Sequence, residues 1–179
     1  GIILWATSNL RNHGQCVAEF LYLMGLRPIW QKVSLRVVDI EVIPLSELKR
    51  PLVDVTGRIS GLFRDSMPAS VTWLDKAVGM IAALEESPEE NYVRKHVLQE
   101  SQELEETGME VTEAWRQASY RLFGDPPGAH GAGVGALLEA KNWDNIDDIA
   151  KVYVRWGGHA YGAGSEGTYM PERFSRRMQ

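Results

Sequence analysis

The sequence predicts an α/β fold with Rossmann-like layers, parallel strands in the N-terminal half and a mainly helical C-terminal half. Three observations predict it. Apolar runs of strand length alternate with helix-length amphipathic runs over residues 1–86. Polar, turn-forming loops follow those strands. Beyond residue 86 the start signals are those of helices. One chain of 179 residues is long enough for a single core.

Taken in order, GIILW is a buried strand with no methionine, signal or targeting segment before it, as expected of a piece of a longer protein. The loop ATSNLRNHG follows. QCVAEFLYLM then reads as a buried helix, with Gly25 as its C-terminal cap and Asn12 and Gln15 as a capping box. RPIWQKV and RVVDIEVI read as a β-ribbon, because Val38, Ile40 and Val42 alternate with Asp39 and Glu41. LVDVTGRI is a further strand and SGLFRDSMP its loop. An amphipathic helix comes next, carrying Val71, Leu74, Val78 and Ile81.

In the second half, Ser87, Pro88 and Glu90 resemble a helix cap, N1 proline and N3 glutamate. That places NYVRKH in the first two turns of a helix ending near Gly108. A helix is expected over Thr112 to Phe123, then the glycine-rich loop GDPPGAHGAGVG, a short helix, and a longer one, NIDDIAKVYVRW, after Asp144. The glycine-rich loop GGHAYGAGSEG follows.

Composition excludes several classes. Apolar residues are 44% of the chain and charged residues 24%, and no apolar run approaches the roughly 20 residues of a membrane helix. A net charge of -5 without a basic stripe argues against nucleic acid. The single cysteine, Cys16, lies in an apolar helix, so no internal disulfide forms and a buried, unreactive thiol in a cytoplasmic protein is expected. No G-K-[ST] follows the glycines, and the segment before GAHGAGVG reads as RLFGDPP rather than a strand, which excludes a P-loop. His13, His96, His130 and His159 are too far apart in sequence for a zinc motif. The six tryptophans are scattered and read as core.

Five blocks carry more specific information: LWATSNLRNHGQCVAEFLYLMGLRPIW, LKRPLVDVTGRISGLFRDSMP, ALEESPEENYVRKH, ASYRLFGDPPGAHGAGV and NWDNIDDIAKVYVRWGGHAYG. In this order and spacing they resemble a segment of the cobaltochelatase large subunit (CobN) and magnesium chelatase H subunit family. The resemblance covers nearly the whole chain, 1–179, as one fragment of a much longer subunit. It implies a protein that binds a tetrapyrrole and inserts a divalent metal, with ATP used by separate AAA+ motor subunits and not bound here. WGGHAYG is more similar to cobalt-type members, which implies cobalt and a corrin precursor rather than magnesium. An acidic residue common in the family is replaced near Ser8.

Such chemistry needs a proton acceptor, a metal ligand and cationic partners for ring carboxylates. On the helix beginning at NYVRKH, Tyr92 and His96 share a face, with Lys95 beside Tyr92 and Arg94 pointing elsewhere. His96 is the candidate catalytic residue, Tyr92 a ring-packing surface, and Arg94 and Lys95 carboxylate partners. The alternative is a solvated helix in which those cations pair with Glu89, Glu90 or Glu100. Arg58, Arg64 and Asp65 flank the loop after a parallel strand, and Arg11 and His13 a similar loop, where ligands of such sheets bind. Arg64 and Asp65 pairing with each other is the structural alternative. His130 and His159 lie in glycine-rich loops. No residue is assigned to the metal. The acidic stretch QESQELEETG is the natural contact surface if the segment is a docking module instead.

Overall fold

The computed structural model describes residues 1–178. A five-stranded sheet runs through both halves of the chain in the order β1 (Ile2–Leu4), β4 (Gly57–Ile59), β5 (Leu122–Gly124), β6 (His159–Gly162), β7 (Ser165–Tyr169). The first three strands are parallel, and β5, β6 and β7 are antiparallel neighbours. β2 (Leu26–Trp30) and β3 (Val37–Val42) form the expected separate antiparallel ribbon.

One face of the sheet is covered by α2 (Gln15–Met24), α5 (Pro68–Ala83) and α6 (Tyr92–Glu106). Leu4, Phe20, Ile59, Leu74, Val93 and Leu122 meet there in a single core. The other face carries α9 (Ile146–Gly157) and α10 (Pro171–Met178), with Phe123, Ala160 and Phe174 between them. Neighbouring residues of β5 therefore serve different cores, because side chains alternate across a strand.

Local signals set the helix ends. Gly25 closes α2 at φ 89°, and a Cβ there would lie 2.2 Å from Leu52 Cδ2, so glycine is required twice over. Pro68 opens α5. Asn145 caps α9 by accepting from the Asp147 and Asp148 amides.

Several elements differ from expectation. ATSNLR is a helix, α1 (Ala6–Arg11), rather than a loop, and the Asn12 side chain accepts from the Gln15 amide as its spacing suggested. GLFRDS is also helical, α4 (Gly61–Ser66), because the Ser60 hydroxyl accepts from the Phe63 amide and caps it. Asn91, not Ser87, caps α6: its buried amide accepts from Arg94 N and donates to Ile81 O, while Ser87 binds Glu90 in the turn before. The helix expected to reach Phe123 stops at Ala118 as α7 (Val111–Ala118), so the second half contributes three strands of its own.

LFG is thus a strand, and the glycine-rich loop does follow one. That ground for excluding a P-loop fails, and the missing G-K-[ST] is the ground that stands. GGHAYGAGSEG is the β6–β7 hairpin rather than a loop. Trp5, Trp30 and Trp143 are exposed, and Cys16 is only partly buried, with Asn12 Nδ2 3.4 Å from its sulfur.

Candidate functional site

The two groups of residues expected to act on a ligand lie at opposite ends of the parallel strands. Asp54 and Arg121 precede β4 and β5, whereas Ser60 and Asp125 follow them.

His96 belongs to the amino end. Its Nδ1 is 2.7 Å from Asp54 Oδ2, and Asp54 also accepts from Arg121 Nε at 2.6 Å and Arg177 Nη1 at 3.1 Å. Arg177 continues to Glu100, which accepts from Arg173 Nη1 at 2.9 Å, and Arg176 pairs with Glu103. Burial alone would raise the Asp54 carboxyl, but the Arg121 charge and the bonds from His96 and Arg121 hold it well below its ordinary range. Burial beside Arg121 brings Arg177 down to about 10, so it stays charged at neutral pH.

This network straps α10 onto α6. It also absorbs part of the acidic helix that looked like a docking surface, since Glu100 is buried and Glu103 is paired. Tyr92 is partly exposed with Lys95 Nζ 5.8 Å from its ring centre, and Arg94 donates to Ala82 O at 2.9 Å. Neither cation pairs with Glu89, Glu90 or Glu100. The NYVRKH patch is therefore divided among a helix start, a cation-aromatic contact and a buried charge network.

The carboxyl end holds the other candidates. Arg58 is buried and donates to Asp125 Oδ1 at 2.5 Å, while the Gly61 amide donates to Asp125 Oδ2 at 2.9 Å. Asp125 thereby ties β4, the start of α4 and the loop after β5 together. Arg64 and Asp65 do pair, at 2.6 and 3.0 Å. Arg64 also donates to Pro126 O at 2.9 Å, Tyr161 Oη at 3.3 Å and Ala129 O at 3.4 Å. Its donors are spent inside the molecule, so it clamps the loop and has none left for a ligand carboxylate.

Beside this clamp a cavity of about 470 Å³ opens, walled in part by Arg64, Asp65, Val71, Thr72, Pro127 and Tyr161. His13 lies elsewhere, at φ 56° between α1 and α2, on a second and more apolar cavity of about 550 Å³ that includes Leu10, Trp30, Met67 and Trp73. Arg11 is exposed and lines neither cavity. His159 faces Trp156 O at 3.1 Å and packs on Tyr169.

Sequence reasoning missed Asp125, Arg121 and Asp54. Each is a charged residue within three positions of a short parallel strand, which is the signal that would have found them. Among the described residues no group of three or more His, Cys, Asp or Glu is gathered closely enough to hold a metal ion. No helix there is long and apolar enough to cross a membrane.

Comparison with known proteins agrees with the five sequence blocks. The family model described as CobN/Magnesium Chelatase matches residues 1–179. The chain is 45% identical over its whole length to the aerobic cobaltochelatase subunit CobN of Pseudomonas aeruginosa, and 33% identical over 96% of its length to the chloroplastic magnesium-chelatase subunit ChlH of Oryza sativa subsp. indica. These matches cover 14% and 12% of those proteins, so the chain spans only a small part of them. It superposes on the catalytic subunit of cobaltochelatase from Mycobacterium tuberculosis with a TM-score of 0.89 and 42% identity, over 99% of this chain and 14% of that one. The chain belongs to the CobN/magnesium chelatase family.

Proposed function

We propose that the chain forms part of the tetrapyrrole-handling wall of a chelatase large subunit that inserts a divalent metal, cobalt into a corrin precursor. The proposed setting is the cytoplasm, with ATP hydrolysed by AAA+ motor subunits rather than by this chain. The observation that carries the reading is the cavity at the carboxyl ends of β4 and β5, within a chain matched to the family from end to end. Its walls offer apolar contact to a ring edge through Val71, Pro127 and Tyr161. Cobalt is favoured over magnesium by the identities, 45% to the cobalt-named relative against 33% to the magnesium-named one.

The chemistry asked of this end is positional. A flat ring held at one edge keeps its nitrogens at a fixed place while the metal, as substrate, loses water and binds them. The rigidity comes from Asp125 and Arg64, which fasten the loop wall to β4 and α4.

The test uses the full-length subunit. Titration with a free-base corrin precursor should give saturable absorbance changes, and Co²⁺ should be inserted when motor subunits and ATP are added. Thr72 is exposed on the cavity wall, so Thr72→Trp fills the space without touching the core. It should weaken ring binding at least about tenfold, or about 1.4 kcal/mol. A Thr72→Trp protein that binds as tightly as the parent would remove this cavity from the proposal. Insertion of Mg²⁺ but not Co²⁺ would overturn the metal.

A further inference from the structure

The loop after β5 carries a histidine paired with a carboxylate, Asp65, that lines this cavity. His130 Nε2 is 2.8 Å from Asp65 Oδ2. Both oxygens of that carboxylate also accept from Arg64, at 2.6 and 3.0 Å. Arg64 in turn is fastened to the carbonyls of Pro126 and Ala129, which belong to the loop bearing His130. One guanidinium therefore fixes the carboxylate and the backbone that presents its imidazole partner.

The loop is seated from two further sides. A Cβ on Gly61 would come within 2.3 Å of Ala129 O and 2.5 Å of His130 Cδ2, so the start of α4 touches the loop with no space between. A Cβ on Gly133 would stand 2.2 Å from Trp156 Cγ, and the Trp156 indole donates to Gly131 O at 3.0 Å. His130 is held in position although its side chain is 58% exposed.

The chemistry of the pair follows from its partners. The bond from Arg64 first, and that from His130 second, keep the Asp65 carboxyl below its ordinary 3.8, so it is an ionised acceptor at neutral pH. An ionised carboxylate facing Nε2 selects the imidazole form with its proton on Nε2. The lone pair is then on Nδ1. An imidazole aimed by a carboxylate that lines the cavity, and itself open to water, is equipped to take up a proton and pass it on.

We infer that His130 is the proton acceptor for the inner ring N–H removed during metal insertion, with Asp65 as its positioning residue. This rests on the function proposed above. In the step, an N–H bond of the free-base ring breaks and its electron pair stays on the ring nitrogen, which binds the divalent metal. The proton moves to Nδ1 of His130 and on to water. A corrin carries a single inner N–H, so a neutral ring and one Co²⁺ give a metal complex of charge +1 and one proton, with nothing oxidised or reduced.

The experiment measures ring affinity, chelation rate and melting temperature of the full-length subunit with motor subunits, ATP and Co²⁺, for the parent and for His130→Gln, His130→Ala and Asp65→Asn. His130→Gln should bind the ring within about twofold of the parent and melt at the same temperature, yet chelate about a hundredfold or more slowly. Asp65→Asn should slow chelation at least about tenfold at unchanged ring affinity, because it no longer selects the imidazole tautomer. Imidazole added at fixed free metal should restore rate to His130→Ala and not to the parent or His130→Gln, a response that a merely structural role does not give. A folded His130→Gln protein that chelates at the parental rate overturns the inference, as does a His130→Ala protein that imidazole leaves inactive. If the parent itself binds no tetrapyrrole, both the inference and the function beneath it fall. If the parent binds and metallates normally while His130→Gln is unaffected, only the inference falls.

Discussion

His96 and His130 each face a carboxylate at hydrogen-bond distance, and what stands behind that carboxylate separates them. Asp54 is buried among Arg121, Arg177 and His96, whereas Asp65 lies at the surface with Arg64. Removing the buried acid leaves the fully buried Arg121 without a counter-charge. Asp54→Ala should therefore destabilise the fold by about 3–5 kcal/mol, read as a fall in the urea midpoint. The same network has an acid limit. The Asp54 and Glu103 carboxyls are depressed in the folded state, Glu103 to about 2 chiefly by its bond to Arg176. A depressed acid stabilises the fold above its unfolded value, and that stabilisation is lost as pH falls towards the folded value. Hydrogen exchange should accordingly show α10 fully protected at neutral pH and loosening progressively below about pH 4.5, the ordinary Glu103 value. At this scale the sequence was legible as chemistry but not as location. Arg64, Asp65 and Arg58 were picked out by their place after a strand. Nothing along the chain announced that Arg64 would also donate to three carbonyls of the loop of residues 125–129, because those partners lie more than sixty positions away.

Among the elements, the long helices α2, α5 and α6 were readable because their apolar period repeats for several turns. The short ones were not. β5 has three residues, too few for a period, and α4 has six, recognisable only through the Ser60 cap. Those two elements carry the candidate site between them, so the region with the weakest sequence signal is the one that matters most. Their contact is tested at Gly61, where any Cβ collides with Ala129 O at 2.3 Å. Backbone cannot give way as a flexible side chain does. Gly61→Ala should cost about 1–3 kcal/mol of stability and raise exchange at the Ala129 amide, which donates to Pro126 O at 3.0 Å. Gly79, with open space around it, provides the contrasting position for the same change.

For the whole molecule, the expected α/β layers are present and the second half is mainly helical, while a single sheet joins the two halves. β4 from the first half pairs on one side with β1 and on the other with β5 from the second half. The sequence hid this because strand neighbours are set by tertiary pairing, and β4 and β5 are separated by two long helices, α5 and α6, and the shorter α4 and α7. A chain interrupted between Leu84 and Ser87, in the segment joining α5 to α6, would yield two pieces that each expose a raw strand edge and half of a core. Neither should fold when expressed alone, and both should collect in the insoluble fraction. Produced together, they should recover one another, with β4 and β5 acting as the complementary seam of a split protein. The circular dichroism of the reconstituted pair should match that of the uncut chain, and its assembly would report on any ligand that braces the carboxyl ends of those two strands.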